Sequence, residues 1–525
     1  MGVAHEYAEA VLHRTRSPME GDLRKPDWGD QPRTGKYYPT AADFPLPRYR
    51  AVPEATTQRG LFGPRGTGAF SLPLLSGMLQ DSHGLLSRRL AVHGNANLET
   101  LPWYDRAHWA RGTASGGGLY PATVYWAGGA SGPMTPGVYH YDVQQHAMRR
   151  LLTGDVSGEL RAAVGDDELT GGTDQFLILG VKFWLNTFKY AGFGYHVVTM
   201  DVGALLQSWR MWAGAQGLHL GEALWFDEPR LGRLLGLGPD EEGVFAVVPL
   251  RWAGDGGGTL RAAESGESGE LIEALRVRIT DQEQSRSTLG FDTVRRMHAA
   301  TLVDAARHPA RPDLAPPVPA GGERTPLPVP SALTLPIRAA LRARCSSFGR
   351  YSGQHPMELE QLAAMLAAAQ SAGGTVTRLY VFVNHVVGVP PGSYLLDGRV
   401  AEGSGNLRLV KAGAPGSFLQ RSYTMHNYNL EQTGAVIVPA VRVPALLDEV
   451  GGRGYRLANA AVGATAQAVY TAAAAAGLGC GAALAFDGAA YTQELGLADT
   501  GELPLLIIAV GQERPDAADY RYEVV

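Results

Sequence analysis

The sequence predicts an α+β protein made of two copies of one domain, packed about a pseudo-twofold axis like a homodimer on a single chain. The main observation is a set of residues that recurs at a constant offset of 260 positions. A second observation is the mixture of short apolar strand patterns with longer helical patterns along the chain. The repeated residues are Gly194-Tyr195, Val202-Gly203, Gln207, Gly217-Leu218, Phe226-Asp227 and Gly236-Leu237 in the first copy, and Gly454-Tyr455, Val462-Gly463, Gln467, Gly477-Leu478, Phe486-Asp487 and Gly496-Leu497 in the second.

The elements of the first copy follow from apolar periodicity and turn residues. Residues 1–18 form a short helical pattern, and residues 71–80 an amphipathic one. Strand patterns occupy the end of residues 110–129, residues 136–142, residues 176–181 and residues 244–250, and a long helix follows Tyr195 and ends near Gly217.

Two linker-like stretches precede the second copy. Residues 254–269 are rich in Gly, Ser and Glu, residues 309–336 are studded with proline, and a charged helical segment at 271–306 lies between them. We therefore predict four parts. These are an N-terminal segment at 1–45, a first domain at 46–253, a helical and Pro/Gly-rich linker at 254–336 and a second domain at 337–525.

Composition, net charge and cysteine content exclude several classes of protein. With 45% hydrophobic and 18% charged residues among 525, the chain is globular, and a net charge of −5 gives no reason to expect nucleic acid or an anionic membrane as partner. Two cysteines form no disulfide framework and no metal-ligand spacing, so we expect a reducing cytoplasm and no metal. The alanine-rich run at 460–477 is interrupted by Thr465 and Gln467, which indicates a core helix rather than a membrane span.

Lys189-Tyr190 is the acid/base candidate of the chain. A neighbouring ammonium stabilises a phenolate and so makes tyrosine a better base. Taken alone, the dipeptide is more often an ordinary surface or loop pair. At the repeat offset it faces Glu449-Val450, so only the first copy carries it. An enzyme that kept one of two sites would show this asymmetry, whereas a structural scaffold has no need of it.

Three groups of residues stand out as motifs. They are an N-terminal signature (residues 13–18, Asp27-Trp28, Gln31-Pro32 and Tyr38-Pro39), the motif Ser-Gly-Gly-Gly-Leu-Tyr-Pro at 115–121, and Lys189-Tyr190 followed by Gly192, Gly194 and Tyr195. Together they resemble the flavin-dependent azoline dehydrogenases of the nitroreductase superfamily, the streptolysin-type family that matures thiazole- and oxazole-containing peptides. The resemblance covers nearly the whole chain and implies two nitroreductase-like domains in tandem. The second copy departs from it, because residues 371–374 lack the Leu-Tyr-Pro of the flavin loop.

The resemblance implies an FMN site between the two domains, with an arginine box from one and a small-residue loop from the other. The FMN phosphate is a dianion that requires cations, hydroxyls and backbone N–H groups. We therefore expect the arginine box of residues 344–350, placed at the start of the second domain's first helix, to face the glycine loop of residues 115–118. The alternative is that these arginines are solvent-exposed residues at the start of a helix and that the glycines form an ordinary turn. The expected cofactor-binding residues are Ser115, Gly116, Gly117, Arg344, Ser346 and Arg350, with Arg111 (flavin contact or surface residue), Gly479 (a loop after a helix) and Arg514 as weaker candidates.

The implied activity is oxidation of thiazolines or oxazolines to thiazoles or oxazoles in a ribosomally made precursor peptide. Tyr190 is the expected base and Lys189 the charge that tunes it, with the reverse assignment open. The implied partners are the azoline-containing peptide and the cyclodehydratase that forms the azolines. Two alternatives remain: a non-catalytic scaffold of the synthetase complex, and a generic NAD(P)H-dependent nitroreductase.

Overall fold

The computed structural model describes residues 2–50, 52–90, 107–254, 275–303, 305–306, 309, 322–515 and 520–524. Fifteen α-helices and seventeen strands are assigned within these residues. The helices are α1 (Val3–Leu12), α2 (Thr57–Phe62), α3 (Leu72–Ser82), α4 (Ser157–Val164), α5 (Asp167–Thr170), α6 (Trp184–Tyr190), α7 (Gly194–Ala215), α8 (Glu228–Leu235), α9 (Asp292–Leu302), α10 (Ile337–Ala343), α11 (Leu359–Gly373), α12 (Gly416–Arg421), α13 (Val443–Val450), α14 (Gly454–Ala475) and α15 (Gly488–Glu494).

The strands form two large sheets and one small sheet. They are β1 (Ala42–Pro45), β2 (Ser87–Leu90), β3 (Ala107–Ala110), β4 (Ala122–Gly128), β5 (Gly137–Asp142), β6 (Ala147–Thr153), β7 (Gln175–Lys182), β8 (Glu242–Pro249), β9 (Arg324–Pro326), β10 (Arg378–Val383), β11 (Gly392–Asp397), β12 (Asn406–Ala412), β13 (Ala435–Val441), β14 (Gly479–Ala483), β15 (Leu503–Pro504), β16 (Ile507–Gly511) and β17 (Tyr520–Glu523).

The two large sheets have equivalent strand orders. The first runs β1-β6-β5-β4-β7-β8 and the second β9-β12-β11-β10-β13-β16-β14, with β15 beside β13. Neighbouring strands are antiparallel in both. Five strands therefore repeat in the same order, and each set gains an edge strand, β1 or β9, from the chain segment that precedes it. This matched topology is the structural form of the sequence repeat.

The sheets differ at one edge. In the second domain β14 pairs with β16 over five residues, from Gly479 to Ala483. At the equivalent place in the first domain, only an isolated bridge joins Ala223 to Val247 of β8. The first domain thus has a single bridge at the place where the second domain has the five-residue strand β14.

The C-terminus returns to the first domain. Strand β17 pairs with β2, which in turn pairs with β3. This small sheet leads directly into Arg111 and the glycine loop, so residues from both ends of the chain support that region.

Helices α7 and α14 cross at the centre of the molecule and join the two domains. A Cβ atom added at Gly203 of α7 would lie 2.0 Å from the carbonyl oxygen of Ala460, and one added at Gly463 of α14 would lie 2.0 Å from that of Met200. The two glycines are repeat partners, so the contact is symmetric. Backbones can approach this closely only where both side chains are absent.

A buried ionic cluster joins the domains beside this crossing. Glu228 of α8 accepts hydrogen bonds from Arg453 and Arg456, each at 2.8 Å, and Arg456 also donates to His298 Nδ1 at 3.0 Å. All four side chains are almost fully buried. Because a buried charge is tolerated only when it is paired, this cluster fixes the relative placement of the two domains.

Several expectations about the connecting segments were wrong. The helix predicted at 271–306 is limited, among the described residues, to α9, and residues 275–291 are not helical. The proline-rich stretch contributes β9 to the second sheet. Most of the glycine-rich stretch at 254–269 lies outside the described residues. The boundaries of the four predicted parts remain predictions.

Two local expectations about the second domain were also wrong. The arginine box does not begin a helix, because α10 ends at Ala343 and Arg344 follows it. Gly479 lies in a strand rather than a loop, since β14 begins at this residue. In both places a short segment is held by tertiary pairing that the local sequence does not reveal.

No helix in the described part of the chain is long and apolar enough to cross a bilayer.

Replacing Gly203 by alanine should destabilise the protein by about 3 kcal/mol or more, because the new methyl group would overlap the backbone of α14. Gly232 in α8 is a matched control, since an added Cβ would meet nothing within 4 Å there. Gly232→Ala should be neutral or stabilise by about 0.5–1 kcal/mol. Denaturant unfolding measures both changes, and equal stability of the two variants would contradict the close crossing.

His298 should make stability fall as the pH is lowered. Burial, opposed by Glu228 and assisted by the charges of Arg456 and Arg453, lowers the pKa of His298 to about 4. The unfolded chain takes up this proton near pH 6.5 and the folded chain only near pH 4, so stability is full above pH 6.5 and is lost as the pH falls towards 4.

The contribution lost is about 3 kcal/mol. Urea unfolding between pH 7 and pH 4 should therefore show a steeper loss for wild type than for His298→Gln. The exposed His355 gives the control variant His355→Gln, expected to follow wild type. Parallel curves for wild type and His298→Gln would refute this account.

Candidate functional site

Lys189 and Tyr190 end helix α6 at a strained turn. Ala191 follows with φ 46° and ψ −130°, a conformation that a residue with a side chain rarely adopts. A short 3₁₀ turn then leads into α7, whose deep burial fixes the far end of the turn. The pair is therefore held by its neighbours in the chain and not by a flexible loop. The Lys189 ammonium lies 4.9 Å from the centre of the Tyr190 ring.

The N-terminal segment braces this turn from outside. Gly192 donates its N–H to the carbonyl of Glu20 at 2.9 Å, and the Tyr7 hydroxyl donates to the Gly192 carbonyl at 2.9 Å. Arg24 donates to the carbonyl of Phe188. The turn after Lys189-Tyr190 thus depends on residues almost two hundred positions earlier in the sequence.

The glycine loop lies directly against the Lys189-Tyr190 pair. Gly117 has φ 64°, and a Cβ atom added there would be 2.6 Å from both the Lys189 Nζ and the Tyr190 hydroxyl oxygen. A Cβ atom at the next residue, Gly118, would meet nothing within 4 Å. Gly117 is therefore required both for the backbone conformation and for the space that the two polar groups occupy.

Asp201 of α7 holds the glycine loop in place. Its carboxyl group accepts hydrogen bonds from the Ser115 hydroxyl at 2.6 Å and from the Gly116 N–H at 2.8 Å. Burial raises the pKa of Asp201 to about 7, against the effect of these two hydrogen bonds. At the repeat position the second copy has Ala461. The support of the loop is thus as asymmetric as the Lys189-Tyr190 pair.

The second domain holds the segment just before the loop. Arg344 donates to the carbonyls of Gly112 at 2.9 Å and Arg111 at 3.0 Å. Gln467 of α14 accepts from the Ala114 N–H at 2.8 Å and donates to the Gly112 carbonyl at 3.2 Å. Arg344 and Gln467 of the second domain therefore hold the residues that lead into the glycine loop.

The rest of the arginine box faces other groups of the second domain. The Ser346 hydroxyl is 2.9 Å from the Tyr470 hydroxyl, and burial raises the pKa of Tyr470 to about 12. Arg350 forms an ion pair with Glu513 at 3.0 Å, and its carbonyl accepts from the Arg514 N–H at 2.9 Å.

Gly479 lies behind this group. A Cβ atom added there would be 2.6 Å from Glu513 Cγ and 2.7 Å from the Ser347 hydroxyl oxygen. The structure therefore gathers Arg344, Ser346, Arg350, Gly479 and Arg514 into one neighbourhood.

Tyr423 belongs to the second domain and is buried. Burial, together with the nearby Tyr190 of the first domain, raises the pKa of Tyr423. Tyr190 therefore lies close enough to the second domain to affect the ionisation of Tyr423. Arg111 behaves differently, because its guanidinium is fully buried against His83 and the carbonyl of Thr34, so the surface alternative for this residue was wrong.

The residues of the cleft fit a flavin phosphate in their charge and their shape. Arg350 is neutralised by Glu513, but Arg344 and the exposed Arg514 have no carboxylate partner among the described residues, and two cations balance a dianion. The Ser346 hydroxyl adds a donor. The open space beside Gly118, where an added Cβ would meet nothing within 4 Å, leaves room for a planar ring.

The equivalent half-sites on the other side of the pseudo-twofold axis are less developed. Arg59 and Arg65 of the first domain, which have the same spacing as Arg344 and Arg350, are exposed to solvent. Gln207, the repeat partner of Gln467, accepts a hydrogen bond from Arg210 at 2.8 Å instead of holding a loop of the second domain. The two interfaces are therefore related by topology but not by side-chain chemistry.

Asp201, Gln467 and Tyr423 were absent from the expected site. Gln467 had been noted only as a member of the repeat. Asp201 carried a usable signal, because it is an ionisable residue inside an apolar helix that faces Ala461 at the repeat offset. Tyr423 lies in an irregular stretch without any sequence signal, and only the packing of the domains brings it near Tyr190.

Among the described residues, no three His, Cys, Asp or Glu side chains are grouped so that they could hold a metal ion.

Comparison with known proteins gives a consistent picture of the fold. Residues 343–512 match the profile described as "Nitroreductase family". The structure aligns over 98% of this chain and 100% of the other with a putative nitroreductase from Anabaena variabilis, at 19% identity and a TM-score of 0.73. No curated protein sequence gives a significant match.

Two further solved structures align with only part of the chain. A putative nitroreductase from Ralstonia eutropha aligns with 38% of this chain and 93% of its own at 22% identity and a TM-score of 0.29. A chain of the Escherichia coli microcin synthetase McbBCD complex with truncated pro-MccB17 bound aligns with 31% of this chain and 67% of its own, at 15% identity and a TM-score of 0.28. At such low TM-scores these two alignments support no conclusion.

The full-length alignment confirms the predicted fold of two nitroreductase-like domains in tandem. Members of the nitroreductase family typically bind a flavin, and the family match supports an oxidoreductase role. Residues 343–512 are therefore similar to the nitroreductase family, and the chain as a whole has the fold of two nitroreductase-like domains in tandem.

Proposed function

We propose that this protein is an FMN-dependent dehydrogenase that oxidises thiazolines or oxazolines to thiazoles or oxazoles in a ribosomally made precursor peptide. The observation that carries the proposal is the close approach of Gly117 to Lys189 and Tyr190, in a loop whose preceding residues accept hydrogen bonds from Arg344 of the second domain. The azoline substrate rests on the resemblance of residues 115–121 and of the N-terminal signature to that family.

The proposed cofactor residues divide between the domains. Arg344, Ser346 and Arg514 would hold the phosphate, and the glycine loop would lie against the ring, with Asp201 keeping the loop in position. Arg350 is paired with Glu513, so only part of its charge would be left for the phosphate. The bound FMN would supply the acceptor for the hydride that leaves the azoline ring.

The protein itself has to remove a proton from the other ring carbon. Tyr190 is the proposed base, and the Lys189 ammonium, placed by the same turn, stabilises the phenolate that must form. The half-buried position of both side chains reduces competition from water. The reverse assignment, with Lys189 as the base, uses the same geometry. The proposed partners are the azoline-containing peptide and the cyclodehydratase that produces it.

The catalytic pair should be separable from folding and from flavin binding. Lys189→Ala and Tyr190→Phe are expected to keep the flavin and the melting temperature but to lower turnover of an azoline peptide by about a hundredfold to ten-thousandfold. Turnover is measured by the loss of two hydrogens from the peptide, beside flavin absorbance and a thermal melt. Near wild-type turnover in both variants would remove the proposed catalytic role.

Alanine substitutions at Gly117 and Gly118 test whether the glycine loop positions Lys189 and Tyr190. Both have positive φ, so alanine carries a similar backbone cost in each, but only at Gly117 does the new methyl group collide with Lys189 and Tyr190. Gly117→Ala should therefore lose turnover at least tenfold more than Gly118→Ala. Equal losses would mean that the loop does not position the pair.

Flavin retention should depend on the arginine box of the second domain. The purified protein is expected to be yellow, with about one FMN per chain rather than two, since only one combination of half-sites is complete. Arg344→Ala and Arg350→Ala each remove a charge-assisted contact worth about 1.5–3 kcal/mol, or about tenfold to a hundredfold in affinity. The exposed Arg65 supplies the control variant Arg65→Ala.

Flavin released by denaturation is quantified against protein for each variant. A colourless wild-type protein that cannot be reconstituted with FMN would overturn the flavoenzyme proposal. Greater flavin loss in Arg65→Ala than in Arg344→Ala would move the site to the other half of the molecule. Reduction of small nitro compounds with NAD(P)H, in the absence of peptide oxidation, would favour the generic nitroreductase instead. A flavin-bound protein with neither activity would favour the scaffold.

A further inference from the structure

A cavity lies on the other side of the segment that carries the glycine loop, away from the proposed flavin site. It has a volume of about 280 Å³ and is enclosed by residues 33–37, by the β4 and β5 strands of the first sheet, and by the turn after β5. Its polar lining includes Arg33, Lys36, His83, Arg111, His140 and Arg149. The backbone of Arg111 contacts Arg344 at the cleft, whereas its side chain borders this cavity.

Arg111 is a buried cation without a counter-ion among the described residues. Its side chain is 3% exposed. The guanidinium is 3.1 Å from His83 Nε2, donates to the Thr34 carbonyl at 3.0 Å, and lies 4.3 Å from the centre of the Tyr120 ring. Its Nε has no hydrogen-bond partner in the described part of the chain. Isolated buried charges are costly, so this arrangement calls for an anion.

The other cations of the cavity are paired with carboxylates or only partly buried. Lys36 is paired with Glu242 at 2.7 Å, and Arg149 with Asp142 at 3.0 Å. Arg33 is half-buried and stacks on the Tyr37 ring at 4.8 Å, although its Nε is buried without a hydrogen-bond partner among the described residues. Among the described residues that line the cavity, Arg111 is therefore the fully buried cation that lacks a carboxylate partner.

Two further polar groups in the cavity wall have unused hydrogen-bonding capacity. Thr123 Oγ1 and His140 Nδ1 are buried and have no hydrogen-bond partner among the described residues. Burial, aided by the charges of Lys36 and Arg149, lowers the pKa of His140 to about 3, and burial together with Arg111 lowers the pKa of His83. Both imidazoles are therefore neutral at physiological pH, and they neither compensate Arg111 nor add to its charge.

We propose that this cavity binds a small organic carboxylate, whose carboxylate group pairs with Arg111 and whose body occupies the space beside Thr123 and His140. A monoanion balances one guanidinium, whereas a phosphate dianion would leave a second charge buried without a partner. The carboxylate belongs either to a free acid or to the C-terminus of a peptide, and both present the same group to Arg111. The site is separate from the proposed redox reaction and does not depend on it.

Calorimetric titration of the full-length protein in chloride buffer tests the proposal with three probes. Benzoate stands for a free acid, N-acetylglycine for a peptide C-terminus, and inorganic phosphate for a dianion. We expect saturable binding of at least one carboxylate at one site per chain, and weaker binding of phosphate. Preference for benzoate or for N-acetylglycine identifies the source. Absence of saturable binding by both carboxylates, or tighter binding of phosphate, would overturn the proposal.

Substitutions inside and outside the cavity test whether the carboxylate binds there. Arg111→Met should weaken carboxylate binding at least tenfold, and Arg111→Lys should weaken it less, since the charge remains. Arg65→Met, an exposed arginine outside the cavity, is the matched control and should bind like wild type. If Arg111→Met does not fold, Thr123→Val keeps the guanidinium and should still weaken binding several-fold. Undiminished binding in Arg111→Met, or in Thr123→Val where that variant replaces it, would refute the assignment.

Discussion

The close crossing of α7 and α14, with Gly203 against Ala460 and Gly463 against Met200, is the constraint on which the rest of the structure depends. Each glycine lets the backbone of the other domain's long helix approach to a distance that a methyl group would prevent. Because the two helices cross at repeat partners, the crossing creates the pseudo-twofold axis. Everything that the two domains build jointly, including the cluster around Glu228 and the cleft beside Gly117, inherits its geometry from this contact.

The two domains share one backbone framework but differ in the polar side chains that they carry at equivalent positions. At the repeat positions of Lys189-Tyr190 and Asp201 the second copy has Glu449-Val450 and Ala461. Conversely, β14 is fully formed only in the second domain, beside the arginine box. One interface thus collects the loop, its carboxyl support and the acid/base pair from the first domain, and the cations from the second. A residue needed for the crossing must be kept in both copies, whereas a residue needed for chemistry must be kept only once.

The sequence allowed the tandem fold to be predicted because repeats and apolar periodicity are carried by local patterns. The placement of a flavin between the arginine box and the glycine loop came from the resemblance and stays a prediction. The sequence did not show that β9 lies within the proline-rich stretch, that Arg344 follows a helix, or that Gly479 begins a strand. The two strands depend on pairing with β12 and β16, and Arg344 is held by carbonyls of the first domain. Local propensity carries little information about such distant contacts.

The same limit applies to side chains that act at long range. Tyr423 approaches Tyr190, and Glu20 braces Gly192, only because the domains and the N-terminal segment pack as they do. Arg111 illustrates the opposite case. Its place four residues before Ser115 was consistent with either a flavin contact or a surface position, yet its guanidinium turns to His83 and a separate cavity. Proximity in sequence fixed the backbone of Arg111 at the cleft, but the direction of its side chain was decided by where a buried cation could find hydrogen-bond acceptors.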